Sequence, residues 1–337
     1  MLGVERRIKE LRSDRSRRPA DAILRSSEPV IIRGLVADWP AAQAAERSSG
    51  DAIGYFRRFC GEATVAVSHG AGGGDRRVFY NDDLSGFNFA MERRRLSEVL
   101  ALLQERCDDE DAPLCYVGST TLDKCLPGLS DENHVLLDVP DPLASVWIGN
   151  RARIAAHFDV PDNLACVAAG RRRFILFPPD QVGNLYVGPL DFTPAGQPVS
   201  LADPRHCDDE RFPLFREALK HAQTGELGPG DAIFIPSMWW HYVESLDAFN
   251  VLINYWWRTS PLYMGNPMDV LTHALLSIRD LPAAEREAWR GLLAHYVFDW
   301  DERSVAHIPK SARGALAPVD DDGARRLRAA LLKRLNR

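Results

Sequence analysis

The chain has 337 residues, of which 45% are hydrophobic and 26% charged, and its formal net charge is -6. This balance is typical of a globular protein with a sizeable core, and it lacks the overall basic excess of many nucleic-acid-binding proteins. No apolar run reaches the roughly 18 residues that span a membrane, and we expect no secretion signal here because no apolar stretch follows the first charged residues. The six cysteines form no C-x-x-C pair, which predicts reduced thiols and a cytoplasmic location without a membrane partner.

The amino-terminal 20 residues are basic, with six arginines and one lysine between Arg6 and Arg18. Such a run predicts a solvated helix or a frayed end. An arm that contacts nucleic acid or an acidic partner is the alternative.

A short buried strand is predicted over residues 29–34, followed by helices over 51–60 and 93–106. In the second helix, four apolar residues recur at the spacing of one helical face: Leu96, Val99, Leu100 and Leu103. We expect this stripe to pack on the core without any role in ligand binding.

From Pro113 onward the chain becomes β-prone, with short apolar segments separated by Gly, Pro and Asp. These segments cover residues 114–117, 146–149, 163–168, 174–177, 232–235 and 249–257. Many short strands punctuated in this way predict a sandwich or a jelly roll.

Two connections in this region can be predicted from their turn residues. Residues 163–168 and 171–177 flank Ala169-Gly170 and predict a hairpin. Residues 183–228 contain too many Pro, Gly and Asp residues for a regular sheet, so we expect an excursion with one short helix near 212–222.

The carboxyl-terminal part is predicted to be helical, with amphipathic helices over 268–278 and 283–297 and a largely basic helix over 322–337. The first two helices offer more apolar surface than a helical hairpin can bury. This surface comprises Val270, Leu271, Ala274, Leu275, Ile278, Trp289, Leu292, Leu293 and Tyr296. It predicts a homodimer, and packing on the rest of the chain is the alternative.

The candidate site is the triplet His157-Phe158-Asp159. Residues two apart on a strand project from the same face, which places an imidazole beside a carboxylate. His241, from a distant strand, would complete the 2-His-1-carboxylate set that suits non-heme Fe(II). A chance triplet in a solvated loop is the alternative, because the chain has nine histidines and 47 acidic residues.

Several motifs, in this order, resemble the Jumonji-C or cupin-like branch of 2-oxoglutarate oxygenases. They are Val146-Trp-Ile-Gly149, His157-Phe-Asp159-x-x-x-Asn163, Arg173-Phe-Ile-Leu-Phe-Pro-Pro-Asp180-Gln181 and Gly228-Pro-Gly-Asp231-Ala-Ile-Phe-Ile-Pro236-x-x-Trp239-Trp240-His241. More narrowly, the chain is similar to the subgroup of the asparaginyl hydroxylase of hypoxia-inducible factor, as is its stretch from Glu28 to Pro40.

The resemblance implies an α+β protein whose core is a double-stranded β-helix, the cupin jelly roll. It implies Fe(II) held by His157, Asp159 and His241, with 2-oxoglutarate and O2 as co-substrates. We divide the chain into an amino-terminal segment packed on the core (1–112), the catalytic core (113–260) and a carboxyl-terminal helical segment that forms the dimer (261–337).

The resemblance also implies which residues bind 2-oxoglutarate. Arg172 occupies the position of a family Lys that binds the distal carboxylate, and Tyr116 matches a Tyr whose hydroxyl meets the same group. Strand alternation turns Arg172 to the opposite face from Arg171 and Arg173. Three solvated arginines beside a turn are the alternative. Arg is longer than Lys but offers a fork that suits a carboxylate.

Two further matches and two departures concern the rest of the site. Asn163 and Asn254 match asparagines that line the iron and co-substrate site of the family, although either could instead satisfy backbone groups. Ile154 replaces a Thr that donates a hydrogen bond to 2-oxoglutarate in the hydroxylase. Gly118 replaces a Gln that contacts its substrate, so asparagine specificity does not transfer.

The predicted reaction is hydroxylation of a protein or peptide side chain by a dioxygenase. Hydroxylation of a modified tRNA base and lysine demethylation are alternatives within the same chemistry. A cupin that binds metal without catalysis, as a scaffold, is the alternative from a different class.

Overall fold

The computed structural model describes residues 3–14, 16–70 and 76–336. Residues 1, 2, 15, 71–75 and 337 lie outside this range. They include part of the predicted amino-terminal segment and the last residue of the predicted basic helix. Two compact units are present, one up to Arg258 and one from Thr259 onward.

The first unit contains the strands and seven short to medium helices within the described residues. Its strands are β1 (Arg6–Arg7), β2 (Lys9–Arg12), β3 (Val30–Arg33), β4 (Thr64–His69), β5 (Arg77–Val78), β6 (Ala90–Arg95), β7 (Cys115–Thr121), β8 (Leu143–Gly149), β9 (Ala152–Phe158), β10 (Asp162–Ala169), β11 (Arg172–Phe177), β12 (Gln223–Leu227), β13 (Ala232–Ile235), β14 (Trp240–Ser245) and β15 (Asn250–Trp257). Its helices are α1 (Asp21–Leu24), α2 (Pro40–Arg47), α3 (Ser49–Arg57), α4 (Leu96–Glu105), α5 (Leu122–Cys125), α6 (Leu129–Glu132) and α7 (Phe215–His221).

These strands form a six-stranded sheet in the order β1-β12-β11-β14-β9-β5 and a nine-stranded sheet in the order β2-β3-β13-β10-β15-β8-β7-β4-β6. From β9 to β15 the chain passes back and forth between the two sheets, and most neighbouring strands are antiparallel. This is the predicted jelly-roll core with helices added to it.

The central strands of the nine-stranded sheet, β13, β10 and β15, are buried on both faces, whereas the edge strands β2 and β6 are exposed and charged. In β10, Ala165 and Val167 lie in the core between the sheets, whereas Leu164 and Cys166 belong to a second core that includes residues of the helices. Side chains alternate between the faces of a strand, so a continuous apolar run supplies both cores. The stripe of α4 lies in the second core as predicted, with Leu96, Val99, Leu100 and Leu103 all buried.

The predicted hairpin around Gly170 is wrong. Strand β10 pairs with β13 and β15, whereas β11 pairs with β12 and β14 in the other sheet. Gly170 has φ +69 and lies so close to the Phe249 carbonyl oxygen and the Asn250 side chain that a Cβ would collide with both. The glycine therefore serves a crossing between sheets, which a two-residue turn signal does not distinguish from a hairpin.

The basic amino-terminal segment is also not the predicted helix or frayed end where it is described. Strands β1 and β2 add in parallel to β12 and β3, at the edges of the two sheets. Ile8, between them, is buried in the core between the sheets. Pairing with a distant strand outweighs the weak strand propensity of these charged residues.

Two predicted boundaries also change. Residues 93–95, assigned to a helix from the sequence, belong to the edge strand β6, and the helix begins at Leu96. The excursion after Gly183 ends at Gln223, where β12 begins, and its predicted short helix is α7.

The second unit contains the three predicted helices, α8 (Pro267–Ser277), α9 (Ala283–Leu293) and α10 (Asp321–Leu335). A π-helical turn, Ala294–Phe298, follows α9. Neither α8 nor α9 buries any residue. Within the described residues, we find no helix with the length and apolar character to cross a membrane.

Candidate metal centre

The three predicted ligands come together at one end of the six-stranded sheet. His157 lies in β9, Asp159 follows the end of that strand, and His241 is opposite His157 in β14. The imidazole ring centroids are 4.3 Å apart. One ligand atom from each of the three residues lies within 4.8 Å of the others, so the three could hold a single metal ion.

The approach of His241 is set by the turn that precedes β14. Met238 adopts φ +66, and its backbone N–H donates to the Asp159 carbonyl oxygen at 2.9 Å. The Ser237 N–H donates to a carboxylate oxygen of Asp162 at 2.9 Å. These bonds tie the turn before His241 to the loop that carries Asp159, so the ligands share one local framework.

Backbone carbonyls orient both imidazoles. Nδ1 of His157 donates to the Ala155 oxygen at 2.9 Å, and Nδ1 of His241 donates to the Trp239 oxygen at 3.0 Å. With the proton on Nδ1, the lone pair of each Nε2 is available to a metal. Burial and the neighbouring His241 lower the pKa of His157 to about 4, so this ring is neutral near pH 7.

Two neutral donors hold the Asp159 carboxylate. Asn163 Nδ2 and Trp256 Nε1 both donate to Oδ2, at 3.1 Å and 3.0 Å. Trp256 is absent from the residues predicted from the sequence. Its position two residues after Asn254, on the same face of a predicted strand, was the available signal.

Trp147 is a second site residue that the sequence analysis did not assign, although it lies in the Val146-Trp-Ile-Gly149 motif. Its indole lines the cavity that contains the triad, and Nε1 donates to Asn254 Oδ1 at 2.7 Å. By contrast, the paired Trp239 and Trp240 are buried core residues, and Trp240 packs edge-on against Phe158.

Arg172 lines the same cavity and is only 2% exposed. Within the described part of the chain, no carboxylate pairs with its guanidinium, and Nε has no hydrogen-bond partner. Burial lowers the pKa of Arg172 to about 10, so the group is still charged at neutral pH. Its neighbours behave differently, because Arg171 pairs with Asp247 at 2.7 Å and Arg173 pairs with Glu226 at 2.6 Å.

The remaining predicted residues line this cavity as well. Burial raises the pKa of Tyr116, so its hydroxyl is a neutral donor in the same cavity as Arg172. Asn163 and Asn254 are buried side by side, while Ile154 contributes apolar wall where the hydroxylase has a Thr. Gly118 lies beside Trp147.

The residues fit the groups that the resemblance implies. Two imidazoles and a carboxylate form a donor set for Fe(II), and the described residues leave a buried guanidinium without an anionic partner. The cavity therefore has a place for a metal and a place for a carboxylate.

The family model of the cupin-like domain matches residues 16–263. The chain belongs to this family. The predicted cupin-like, Jumonji-C class of fold is thereby confirmed, whereas the narrower likeness to the asparaginyl hydroxylase stays a prediction.

Relatives of this cupin-like chain carry several different names. It is similar to HSPB1-associated protein 1 of Homo sapiens, with 35% identity over 40% of the chain and 27% of that protein. Lysine-specific demethylase 8 of Xenopus tropicalis is 23% identical over 70% of the chain and 49% of that protein. For tRNA wybutosine-synthesizing protein 5 of Gallus gallus, the identity is 30% over 39% of the chain and 43% of that protein. The matches thus cover about a quarter to a half of these relatives.

Proposed function

We propose that the chain is an Fe(II)- and 2-oxoglutarate-dependent oxygenase that hydroxylates a side chain of a protein or peptide. The observation that carries the proposal is the buried Arg172 in the cavity of the triad, to which the described residues offer no carboxylate and whose Nε has no hydrogen-bond partner. A charged group buried without a partner is costly, and a structural metal site has no use for one. A co-substrate that binds the metal and has a free carboxylate accounts for both the triad and the buried Arg172.

Each residue then has a defined part. His157, Asp159 and His241 hold Fe(II), and Arg172 with Tyr116 binds the distal carboxylate of 2-oxoglutarate. When bound, the iron supplies the activation of dioxygen. A set of three protein ligands would leave coordination positions for the co-substrate and O2. The apolar wall formed by Ile154 and its neighbours excludes water from them.

A protein or peptide is the substrate class we favour. The motif resemblance is to a subgroup that hydroxylates protein side chains, and the name of one relative refers to lysine demethylation. The name of another relative refers to tRNA, so a modified tRNA base is the second candidate.

The test is turnover by the purified full chain. With Fe(II), 2-oxoglutarate and O2, we expect succinate to form and one component of a peptide pool to gain the mass of one oxygen atom. If a tRNA pool gained oxygen instead, the substrate would be a tRNA base, and loss of a methyl group from lysine would indicate demethylation. If no pool led to succinate, the chain would be a non-catalytic metal-binding scaffold.

The second unit is proposed to form a homodimer. In α8 and α9, Val270 is 66% exposed and Trp289 is 45% exposed, and Leu271 and Leu292 are exposed as well. Apolar residues clustered on exposed helices favour association. A monomeric mass in solution at micromolar concentration would contradict this proposal. A cytoplasmic location likewise stays a prediction.

A further inference from the structure

A line of three hydrogen bonds connects Asp159 with the nine-stranded sheet. Trp147 Nε1 donates to Asn254 Oδ1 at 2.7 Å, and Asn254 Nδ2 donates to Asn163 Oδ1 at 3.4 Å. Asn163 Nδ2 then donates to Asp159 Oδ2 at 3.1 Å. The line crosses the neighbouring strands β8, β15 and β10 and ends on Asp159, in the loop that follows β9.

The two ends of this line determine the direction of every bond in it. An indole N–H can only donate, and a carboxylate oxygen accepts from an amide NH2 group. Asn254 must therefore turn its oxygen to Trp147 and its NH2 group to Asn163. Asn163 accepts with its oxygen and is left with its NH2 group facing Asp159. If either amide were rotated by half a turn, two donors or two acceptors would meet.

Burial makes these orientations difficult to exchange. Asn254 is 1% exposed and Asn163 is 5% exposed, so water cannot replace a lost partner at low cost. Strand pairing adds a further constraint, because Asn163 lies opposite Trp256 and Ala165 lies opposite Asn254 in the β10–β15 ladder. The amides therefore transmit the orientation set by the indole.

We propose that Trp147 is a positioning residue for the metal centre. Acting through Asn254 and Asn163, it holds the Asp159 carboxylate in the orientation that converges with His157 and His241. Trp256 is a separate, direct donor to the same carboxylate oxygen. The inference rests on the proposed function, because it assumes that these three residues bind a metal.

The test is a double-mutant cycle on metal affinity, measured anaerobically on the full chain with Co(II) as the probe. Loss of a partner that orients a ligand commonly weakens metal binding by about 10- to 100-fold. We expect about tenfold weaker binding for Trp147→Phe, and a similar loss for Asn163→Ala. The double variant should bind no more weakly than Asn163→Ala alone, because the effect of Trp147 passes through Asn163.

Trp256→Phe is the matched control, since it also removes one indole N–H near the metal. Its loss of affinity should persist in the Asn163→Ala background, because Trp256 reaches Asp159 directly. The inference is overturned if Trp147→Phe binds Co(II) like the unchanged protein, or if its loss is undiminished in the Asn163→Ala background. It is also overturned if the loss from Trp256→Phe disappears in that background, since Asn163→Ala would then abolish site organisation in general.

Two further measurements separate other causes. The thermal midpoint of each metal-free variant reports loss of packing, and Asn254→Ala breaks the same line if Trp147→Phe does not fold. His157→Ala tests the metal site itself. If the unchanged protein binds Co(II) no better than His157→Ala, the proposed function fails and the inference falls with it. If the unchanged protein binds Co(II) more tightly than His157→Ala but the double-mutant cycle gives one of the contrary results, only the role of Trp147 is refuted.

Discussion

The two sheets line the same cavity with different chemistry. The six-stranded sheet and the loop after β9 carry the groups that can be charged: His157, Asp159, Arg172 and His241. The nine-stranded sheet carries neutral donors and acceptors: Tyr116, Trp147, Asn163, Asn254 and Trp256. Under the proposed function, one wall supplies the metal ligands and the guanidinium, while the other supplies uncharged hydrogen-bonding groups to the ligands and the co-substrate.

Removing a ligand from the six-stranded wall has the largest expected effect. His157→Ala should reduce succinate formation to the level of a blank without enzyme, because two protein ligands do not hold Fe(II) in the required geometry. Succinate release with excess Fe(II) and 2-oxoglutarate is the measurement. His221→Ala, on the exposed side of α7, is the control and should retain activity. Full turnover by His157→Ala would refute the assignment of the site.

Arg172→Met tests the anion site on the same wall. Loss of one partner from a buried charge pair costs about 2–5 kcal/mol, so the affinity for 2-oxoglutarate should fall by about 30-fold to 4,000-fold. The thermal midpoint without ligand should stay the same or rise, because an unpaired buried charge is replaced by an apolar group.

Calorimetric titration of the metal-loaded protein with 2-oxoglutarate measures the loss of affinity in Arg172→Met. Arg171→Met removes a neighbouring arginine that pairs with Asp247 and should leave the affinity unchanged. Equal losses for the two variants would show that Arg172 is not the specific receptor of the carboxylate.

A hydroxyl on the nine-stranded wall should matter less. Tyr116→Phe removes one neutral hydrogen bond, worth about 0.5–1.5 kcal/mol, so 2-oxoglutarate should bind about 2- to 13-fold more weakly. The same titration measures it. Tyr255→Phe changes the opposite face of this sheet and should not alter the affinity. If Tyr116→Phe bound as tightly as the unchanged protein, Arg172 would be the sole carboxylate donor of the pair.

The smallest expected change is a gain. Ile154→Thr places a hydroxyl on the six-stranded wall, and we expect it to tighten 2-oxoglutarate binding by no more than about tenfold. Ile154→Val is the control, because Val and Thr have nearly the same shape. If Thr binds no better than Val, the co-substrate does not approach this position.

Sequence patterns and the family resemblance together suggested the three candidate ligands and Arg172, which the structure brings into one cavity. His157 and Asp159 are two residues apart, so strand geometry puts them on one face, and His241 was the histidine that could complete a 2-His-1-carboxylate set. The role of Arg172 came from its match to a family Lys, and strand alternation turned it away from Arg171 and Arg173. Local patterns also predicted seven of the fifteen strands of the described residues, β3, β7, β8, β10, β11, β13 and β15, and the three carboxyl-terminal helices.

Only the tertiary structure decided which strands pair and which neutral groups meet the ligands. Gly170 looks like a hairpin turn, yet β10 and β11 belong to different sheets. The charged strands β1 and β2 exist because distant strands offer them partners. From the sequence, Trp147 and Trp256 look like ordinary apolar residues of strands. Their N–H groups meet Asn254 and Asp159 only because β8 and β15 lie beside the loop that carries Asp159. Pairing and facing depend on contacts between residues far apart in the chain, which local periodicity does not encode.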